Sequence, residues 1–170
     1  MPTLALFRHA KSSWDDSNLS DFERPLNERG KKVAPEMGKV LRDLKFTPDL
    51  ILCSPSARTR ETLELVLPRL KCAEPAIQFD KDLYHASANS LLDQIRGLDD
   101  KHRTVLIIGH NPGLHAFALT LAGEGATDDL TRLTSQFPTA ALALLSFTSP
   151  HWRAVAPAKG WLEAFVVPER

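Results

Sequence analysis

Short apolar runs alternate with longer segments of helical spacing along this chain, and no other feature restricts its fold as strongly. Four runs, at 3–7, 49–53, 104–109 and 141–147, have the length and composition of strands buried on both faces, and 76–80 is a weaker fifth. Between them, apolar residues recur every three or four positions, as on one face of a helix. This alternation predicts a three-layer α/β/α sandwich around a mainly parallel sheet.

Two of the predicted helices carry informative end signals. The helix with its apolar face from 33 to 44 contains Pro35, which predicts a kink or a late start. In the helix after the 104–109 strand, Asn111 is predicted as the N-cap and Pro112 as the first helical residue, with Gly123 ending the helix. These signals indicate that a loop and then a helix directly follow that strand.

The rest of the chain adds little to this plan. Residues 151–168 suggest a hairpin or an antiparallel edge strand. There is no internal repeat and no change of composition that would mark a linker, so we expect residues 1–170 to form a single domain. At this length the chain is able to bury a substantial core.

Composition excludes several classes of function. The 21 Lys and Arg residues balance 21 Asp and Glu residues, which argues against a nucleic-acid partner. We therefore expect Trp14, Trp152 and Trp161 to serve in packing. Cys53 and Cys72 make neither a disulfide framework nor a metal cluster. No apolar run approaches the ~18 residues of a membrane span, and the N-terminus lacks a signal-peptide pattern, so a cytoplasmic protein without a membrane partner is expected. The sequence says nothing about oligomeric state.

Polar residues follow three of the predicted strands. Arg8 and His9 end the first strand, Arg58 comes shortly after the second, and His110 follows the strand at 104–109. Ligands of open α/β sheets bind outside the carboxyl ends of the strands. Because the ends of parallel strands lie at one edge of the sheet, these four side chains are expected to meet there.

These residue types suit a tetrahedral dianion such as phosphate. Arginine offers planar, bidentate donors to phosphate oxygens, and helix N-termini add unpaired N–H groups. A histidine that is partly neutral near pH 7 is able to attack phosphorus. Each motif alone is more typical of a solvated loop or a strand-to-helix turn. Three strand ends that converge on one edge favour an anion site instead.

Three segments resemble the motifs of a known family in their order and spacing. "LFRHAKSSW" resembles the Arg-His-Gly opening of the histidine phosphatase superfamily, "CSPSARTRET" its Ser-Pro-x-x-Arg segment and "IIGHNPGL" its Gly-His motif. The resemblance also includes "RPLNERG" at 24–30 and extends over most of the chain. The resemblance implies the phosphoglycerate-mutase-like fold. In its short length and its "GHNPGL" segment, the chain is most similar to the phosphohistidine phosphatase branch of SixA type.

The resemblance implies a role for each of the four residues. His9 would be the nucleophile that becomes phosphorylated, Arg8 and Arg58 would hold phosphoryl oxygens, and His110 would donate a hydrogen bond to the transferred group. Such a cage stabilises charge without a metal or another cofactor. Ser12, in the loop after His9, is a further candidate for contact with substrate.

The sequence departs from the family pattern at two places. Ala10 replaces the glycine of the opening motif, and alanine does not adopt positive φ as freely. Many members also carry a glutamate general acid in a segment that matches 79–92, where this chain has no glutamate. Asp82 and His85 are the nearest titratable candidates there, and the alternative is that the site has no general acid. Asp15 and Asp16 could also reach the site.

The missing acid bears on the substrate. A positioned acid contributes about 10²–10⁴-fold when an alkoxide must leave, whereas an imidazole is able to leave with its own proton. We therefore expect a phosphohistidine protein as substrate. A small phosphorylated molecule acted on by the same site is the main alternative. Two further alternatives are a mutase and a binding module that retains the cage without catalysis.

Overall fold

The computed structural model describes residues 1–169 and contains one seven-stranded sheet with five α-helices. The strands are β1 Thr3–Arg8, β2 Leu50–Cys53, β3 Ala76–Phe79, β4 Thr104–Gly109, β5 Ala122–Gly125, β6 Leu142–Ser146 and β7 Gly160–Val166. The helices are α1 Glu28–Asp43, α2 Ala57–Leu70, α3 Ala88–Arg96, α4 Gly113–Leu121 and α5 Thr127–Ser135, and short 3-10 turns lie at Asp21–Glu23, Lys81–Leu83 and Trp152–Ala154.

The order of strands across the sheet is β3-β2-β4-β1-β6-β7-β5. Neighbouring strands are parallel except where β6 pairs with β1 and β7. The five strands predicted from apolar runs are therefore confirmed, with ends that differ by at most one residue. So is the mainly parallel sheet of the predicted sandwich.

Alternate residues of the strands point to opposite faces of the sheet and build two separate cores. On one face, Leu4 and Leu6 of β1 pack in a cluster with α3, α4 and α5. On the other face, Ala5 and Phe7 pack in a cluster with α1 and α2. All four residues are fully buried. Helices cover both faces because each central strand is apolar on both sides, which gives the three layers.

An antiparallel strand was expected at an edge of the sheet, but the antiparallel strand β6 lies inside it. Here β6 joins β1 to β7, and the outer strand on that side is β5. This strand, "AGEG", has no apolar pattern that would identify it, and Gly123 lies within it two residues after α4 ends. A Cβ atom on Gly123 would come within 2.0 Å of the Ala158 carbonyl oxygen, so close backbone approach explains this glycine better than a helix stop does.

Two helix starts also differ from the expectations. Helix α1 begins at Glu28, where the Asn27 side chain accepts a hydrogen bond from the Gly30 N–H, so Pro35 lies inside the helix and does not delay it. Helix α4 begins at Gly113, two residues after Asn111. The Asn111 Oδ1 atom still accepts the N–H of His115, at 3.2 Å. Asn111 therefore satisfies a helix N–H from one position further out than predicted.

The three tryptophans have different surroundings. Trp152 is fully buried, as predicted, but Trp14 is 78% exposed and Trp161 is 47% exposed. The packing role predicted for Trp14 is therefore wrong, and this residue lies near the polar strand ends. None of the helices within residues 1–169 is both long and apolar enough to cross a bilayer.

Candidate active site

The carboxyl ends of β1, β2 and β4 lie side by side in the middle of the sheet. Strand β4 lies between the other two, with Gly109 paired to Arg8 on one side and Ile108 paired to Cys53 on the other. The backbone N–H of His9 donates to the Gly109 carbonyl at 3.2 Å and so extends the β1–β4 ladder by one residue. The sheet thereby brings the three predicted strand-end motifs together.

These strand ends form the floor of a cleft of about 520 Å³. Most of the side chains that line it are polar or charged: Arg8, His9, Lys11, Ser12, Trp14, Asp21, Arg24, Arg58, His85, His110, Asn111 and Thr139. All five candidates from the sequence, which are Arg8, His9, Ser12, Arg58 and His110, are among them. The structure therefore places the predicted site residues around one open space.

His9 is buried and its tautomer follows from its contacts. The Nδ1 atom lies 2.7 Å from the Ala10 carbonyl oxygen, which is able only to accept, so Nδ1 carries the proton. The Nε2 atom is then an unprotonated acceptor that faces the Nε atom of Arg58 at 3.4 Å. Burial, together with the positive charges of Arg58, Arg8 and Arg24, lowers the pKa of His9 to about 3. The ring is therefore neutral at physiological pH and presents an unprotonated Nε2 atom.

Arg58 connects the other groups of the site. Its Nε atom faces His9, and its Nη2 atom lies 3.4 Å from the His110 Nδ1 atom. Asp21 holds the guanidinium from the other side, because Nη1 donates to its carbonyl oxygen at 2.7 Å and Nη2 to its carboxylate at 3.1 Å. Arg58 is only 5% exposed. A buried arginine held at both ends is a preorganised donor for an anion.

His110 is also buried and neutral. Arg58 is a donor only, so the Nδ1 atom of His110 accepts and its Nε2 atom donates to the Ser54 hydroxyl at 2.8 Å. Burial, the neighbouring His9 ring and the positive charge of Arg58 lower the pKa of His110 to about 3. The two histidine rings lie 5.4 Å apart between their centroids. Both rings therefore border the same part of the cleft.

Arg8 has donors that remain available. Its Nη1 atom donates to the Phe137 carbonyl at 3.1 Å. The Nε atom is buried and has no hydrogen-bond partner within the described part of the chain. Burial and the charge of Arg58 lower the pKa of Arg8. An arginine that keeps an unpaired donor beside the charge of a second arginine provides a favourable place for a negatively charged ligand.

Ser12 belongs to a loop that Arg24 fastens to the cleft. The Arg24 guanidinium donates to the Ser12 hydroxyl at 2.6 Å, to the Ser13 carbonyl at 3.0 Å and to Asp21 at 2.9 Å. Its Cζ atom also lies 3.3 Å from the centroid of the exposed Trp14 ring. The "RPLNERG" motif contains this arginine, but the motif alone gave no role for it. Its position identifies Arg24 as the support of the loop that follows His9.

Asp21 and Tyr84 are site residues that the sequence analysis missed. The Asp21 carboxylate accepts hydrogen bonds from the Tyr84 hydroxyl at 2.5 Å and from Arg58 and Arg24. These bonds, the one from Tyr84 above all, hold the pKa of Asp21 well below its usual range. The Tyr84 ring also meets the His110 ring edge-on, with 5.2 Å between centroids. Neither residue lies at a strand end, so no sequence pattern pointed to it.

The general-acid candidates separate clearly. His85 lines the cleft, and its Nε2 atom lies 3.9 Å from the Asp21 carboxylate. Asp82 is exposed and borders a different depression on the surface. Asp15 and Asp16 are exposed and do not line the cleft. Of these four general-acid candidates, His85 alone borders the cleft.

Close backbone contact holds the loop of Tyr84 and His85 against the site. A Cβ atom on Gly113, at the start of α4, would lie 1.8 Å from the Ala86 carbonyl oxygen. Only glycine therefore allows the "GHNPG" turn to pack this closely on the loop.

Within residues 1–169, no three His, Cys, Asp or Glu side chains are grouped as metal ligands.

Comparison with known proteins agrees with this geometry. The family model described as "Histidine phosphatase superfamily (branch 1)" matches residues 4–88. An uncharacterised protein of Mycobacterium tuberculosis is 34% identical over 163 residues, which are 95% of this chain and 99% of that protein.

Two solved structures are similar over nearly their whole length. A protein of Agrobacterium tumefaciens, provisionally assigned as phosphohistidine phosphatase SixA, has 30% identity and a TM-score of 0.82, with 99% of both chains covered. A protein of Nakamurella multipartitia with the same provisional assignment has 27% identity and a TM-score of 0.84, with 98% of this chain and 96% of that chain covered. The family model matches the first half of the sequence and these relatives match the remainder, so the chain belongs to the histidine phosphatase superfamily (branch 1), and its activity is that of a phosphatase.

Proposed function

We propose that this protein is a metal-independent phosphatase that works through a phosphorylated His9 and removes phosphoryl groups from histidine in proteins. The observation that carries the proposal is the unprotonated Nε2 atom of His9, buried among Arg8 and Arg58. A neutral imidazole in a cage of arginine donors combines a nucleophile with stabilisation of the transferred group.

The reaction has two steps. The Nε2 atom of His9 attacks phosphorus, the bond from phosphorus to the leaving group breaks, and the proton stays on Nδ1, where it is hydrogen-bonded to the Ala10 carbonyl. Water then attacks phosphorus, the bond to Nε2 breaks and returns its electron pair to His9, and inorganic phosphate is released. Arg8 and Arg58 hold the phosphoryl oxygens during both steps. A bound dianion favours the protonated form of His110, which would then donate to the phosphoryl group from Nδ1.

The acid–base groups of the cleft support phosphohistidine as the substrate. Among the described residues, Asp21 is the single carboxylate that lines the cleft, and its lowered pKa keeps it ionised. It therefore has no proton to give to an alkoxide. An imidazole needs less help because it leaves as a neutral ring. The provisional assignments of the two solved relatives point to the same class of substrate.

A side-by-side rate measurement tests the proposal. The purified protein is given a histidine-phosphorylated protein, p-nitrophenyl phosphate and a panel of sugar phosphates, each with and without EDTA. We expect the highest kcat/KM on phosphohistidine, no effect of EDTA, and no turnover by His9→Ala. His102→Ala is the control, because His102 lies outside the cleft. Full activity of His9→Ala, or strong inhibition by EDTA, would contradict the mechanism.

A small-molecule phosphomonoesterase is the second candidate, and one observation favours it. His85 lies on the cleft wall and its side chain is 62% exposed, so it is able to meet a leaving group as a proton donor. In that case sugar phosphates would be turned over at least as well as phosphohistidine, and His85→Gln would slow the sugar phosphates more than the aryl phosphate.

A further inference from the structure

We propose that Asp21 determines substrate specificity by accepting a hydrogen bond from the leaving imidazole, which makes the cleft selective for phosphohistidine over phosphate esters. This inference rests on the proposed function and adds a residue that recognises the leaving group. It arises from the combination of charge, free hydrogen-bonding capacity and aromatic surroundings around one carboxylate.

Asp21 lies beside the phosphate cage and faces the open cleft. Arg58 separates it from His9, since the guanidinium contacts the His9 Nε2 atom through Nε and the Asp21 carboxylate through Nη2. The Asp21 side chain is nonetheless 45% exposed. A leaving group departs on the side of phosphorus opposite the nucleophile. It therefore leaves the buried floor for the open side of the cleft, which Asp21 lines.

The carboxylate keeps capacity for one more donor. An ionised carboxylate offers about four acceptor positions. Arg58 and Tyr84 occupy two on Oδ2, and Arg24 occupies one on Oδ1. These donors, together with the nearby His85 and His110, are charged and titratable groups that face Asp21. They keep it anionic, so the remaining position suits a cationic N–H.

The structure already contains an imidazole next to this carboxylate. The ring of His85 lies against the Tyr84 ring, with 3.9 Å between their centroids, and its Nε2 atom is 3.9 Å from the Asp21 Oδ2 atom. The Phe22 ring packs edge-on against the Tyr84 ring, with 5.1 Å between their centroids. An aromatic wall beside a carboxylate is a suitable surface for an imidazolium ring.

The chemistry of phosphohistidine gives this contact a function. In phosphohistidine one ring nitrogen is bonded to phosphorus and the distal one is able to carry a proton. When the distal nitrogen is protonated, the electron pair of the breaking P–N bond goes to the nitrogen that was bonded to phosphorus. A neutral imidazole then leaves with its distal N–H unchanged. Asp21 would hold that N–H. The arrangement mirrors the nucleophile, whose distal N–H is held by the Ala10 carbonyl while Nε2 forms the new bond to phosphorus.

The same carboxylate disfavours an ester. A phosphate monoester expels an oxygen atom that gains negative charge in the transition state, and a fixed negative charge nearby raises the energy of that state. Asp21 therefore acts in opposite directions on the two substrate classes, and the ratio of their rates reports its role. A variant that merely misplaces Arg58 lowers both rates and leaves the ratio unchanged.

The experiment measures kcat/KM on a histidine-phosphorylated peptide and on p-nitrophenyl phosphate for the wild type and four variants. We expect Asp21→Asn to lower the ratio of the two values by about ten- to a hundredfold, the loss of a charge-assisted hydrogen bond. Asp21→Ser, a second neutral variant, should lower it similarly if Asp21→Asn does not fold. Asp21→Glu should restore most of the ratio, and Tyr84→Phe should keep it, because the carboxylate charge remains.

The outcomes separate this inference from the proposed function. A ratio that stays within about threefold in both neutral variants, or that falls equally in Tyr84→Phe, overturns the role of Asp21 while phosphohistidine turnover by the wild type stands. Absence of phosphohistidine turnover by the wild type overturns the proposed function itself. A lowered ratio in the neutral variants and its return in Asp21→Glu support the inference.

Discussion

The Nδ1 atom of His9 donates a hydrogen bond to the carbonyl oxygen of its neighbour Ala10, over 2.7 Å. This contact fixes the ring as the Nδ1–H tautomer and leaves Nε2 unprotonated. Burial of the ring and the arginines around it lower its pKa to about 3. The surroundings of His9 thus hold its ring neutral and in one tautomer.

Nitrogen NMR spectra should show this tautomer directly. In the protein without phosphate, we expect His9 to have a protonated Nδ1 and an unprotonated Nε2 from about pH 8 down to about pH 5, where an ordinary histidine is already charged. The measurement is a ¹⁵N-edited correlation of the ring nitrogens, assigned with His9→Gln. A His9 ring that titrates near 6.5 would contradict the assignment.

Arg58 and Arg60 form a matched pair for mutation. Both lie in the first turn of α2, but Arg58 is 5% exposed and contacts His9, whereas Arg60 is exposed and does not line the cleft. Arg58→Gln should lower kcat by about 10²–10³-fold, the usual effect of removing one donor to developing charge. Arg60→Gln should retain wild-type kcat. Equal effects would show that the loss comes from the helix and not from the cage.

Thr62 links the nucleophile loop to helix α2. Its hydroxyl donates to the Arg58 carbonyl at 2.7 Å and accepts the Ala10 N–H at 3.0 Å, fully buried. Thr62→Val keeps the shape but leaves the Ala10 N–H unpaired, so we expect a loss of about 1–3 kcal/mol in the free energy of unfolding. Thr120→Val is the control, since the Thr120 hydroxyl makes the same bond to a helix carbonyl without bonding a loop. Urea unfolding measures the free energy of unfolding of both variants. Equal values for Thr62→Val and Thr120→Val would contradict the role of this link.

Gly113 and Gly97 test the close contact between α4 and the Tyr84 loop. A Cβ on Gly113 would collide with the Ala86 carbonyl at 1.8 Å, whereas a Cβ on Gly97 would make ordinary contacts of 3.6 Å. Gly113→Ala should therefore move the loop that carries Tyr84 and lower both thermal stability and kcat/KM. Gly97→Ala should be neutral or slightly stabilising, by up to about 1 kcal/mol, because alanine restricts the unfolded chain. An active Gly113→Ala enzyme of wild-type stability would disprove the packing argument.

Acid should destabilise the protein through its two buried histidines. The pKa of His9 and that of His110 are each lowered to about 3 in the folded state, so between there and the ordinary value of about 6.5 only the unfolded chain binds these protons. The free energy of unfolding therefore falls as the pH decreases through this window and recovers above it.

The measurement is the unfolding midpoint at about pH 7 and about pH 5. His110→Gln should lose less stability than the wild type over this interval, because one of the two titrating groups is gone. His151→Gln should behave as the wild type does, since His151 is half-exposed and lies outside the cleft. A wild-type midpoint that stays constant to about pH 5 would contradict the lowered values.

Predictions from sequence succeeded where a pattern is local. The strands at Thr104–Gly109 and Leu50–Cys53 follow from continuous apolar runs, and the polar residues Arg8, Arg58 and His110 follow where such runs stop. Prediction failed for β5, whose residues Ala122–Gly125 carry no strand pattern and pair with β7 through close backbone contact. It also failed for Trp14, because its exposed ring stacks on the Arg24 guanidinium and not in the core.

The sequence by itself determined the layered architecture and which four polar side chains, Arg8, His9, Arg58 and His110, meet around one cleft, because strand composition and parallel topology together decide which residues end at one edge of the sheet. Only the tertiary structure decided the tautomers and the hydrogen-bond partners of those residues. The tautomer of His9, the restraint of Arg58 and the presence of Asp21 and Tyr84 depend on contacts between segments distant along the chain. The distance from Asp21 to Arg58 or Tyr84 is set by loops whose packing no local pattern encodes, so the Asp21 side of the cleft became visible only in the folded protein.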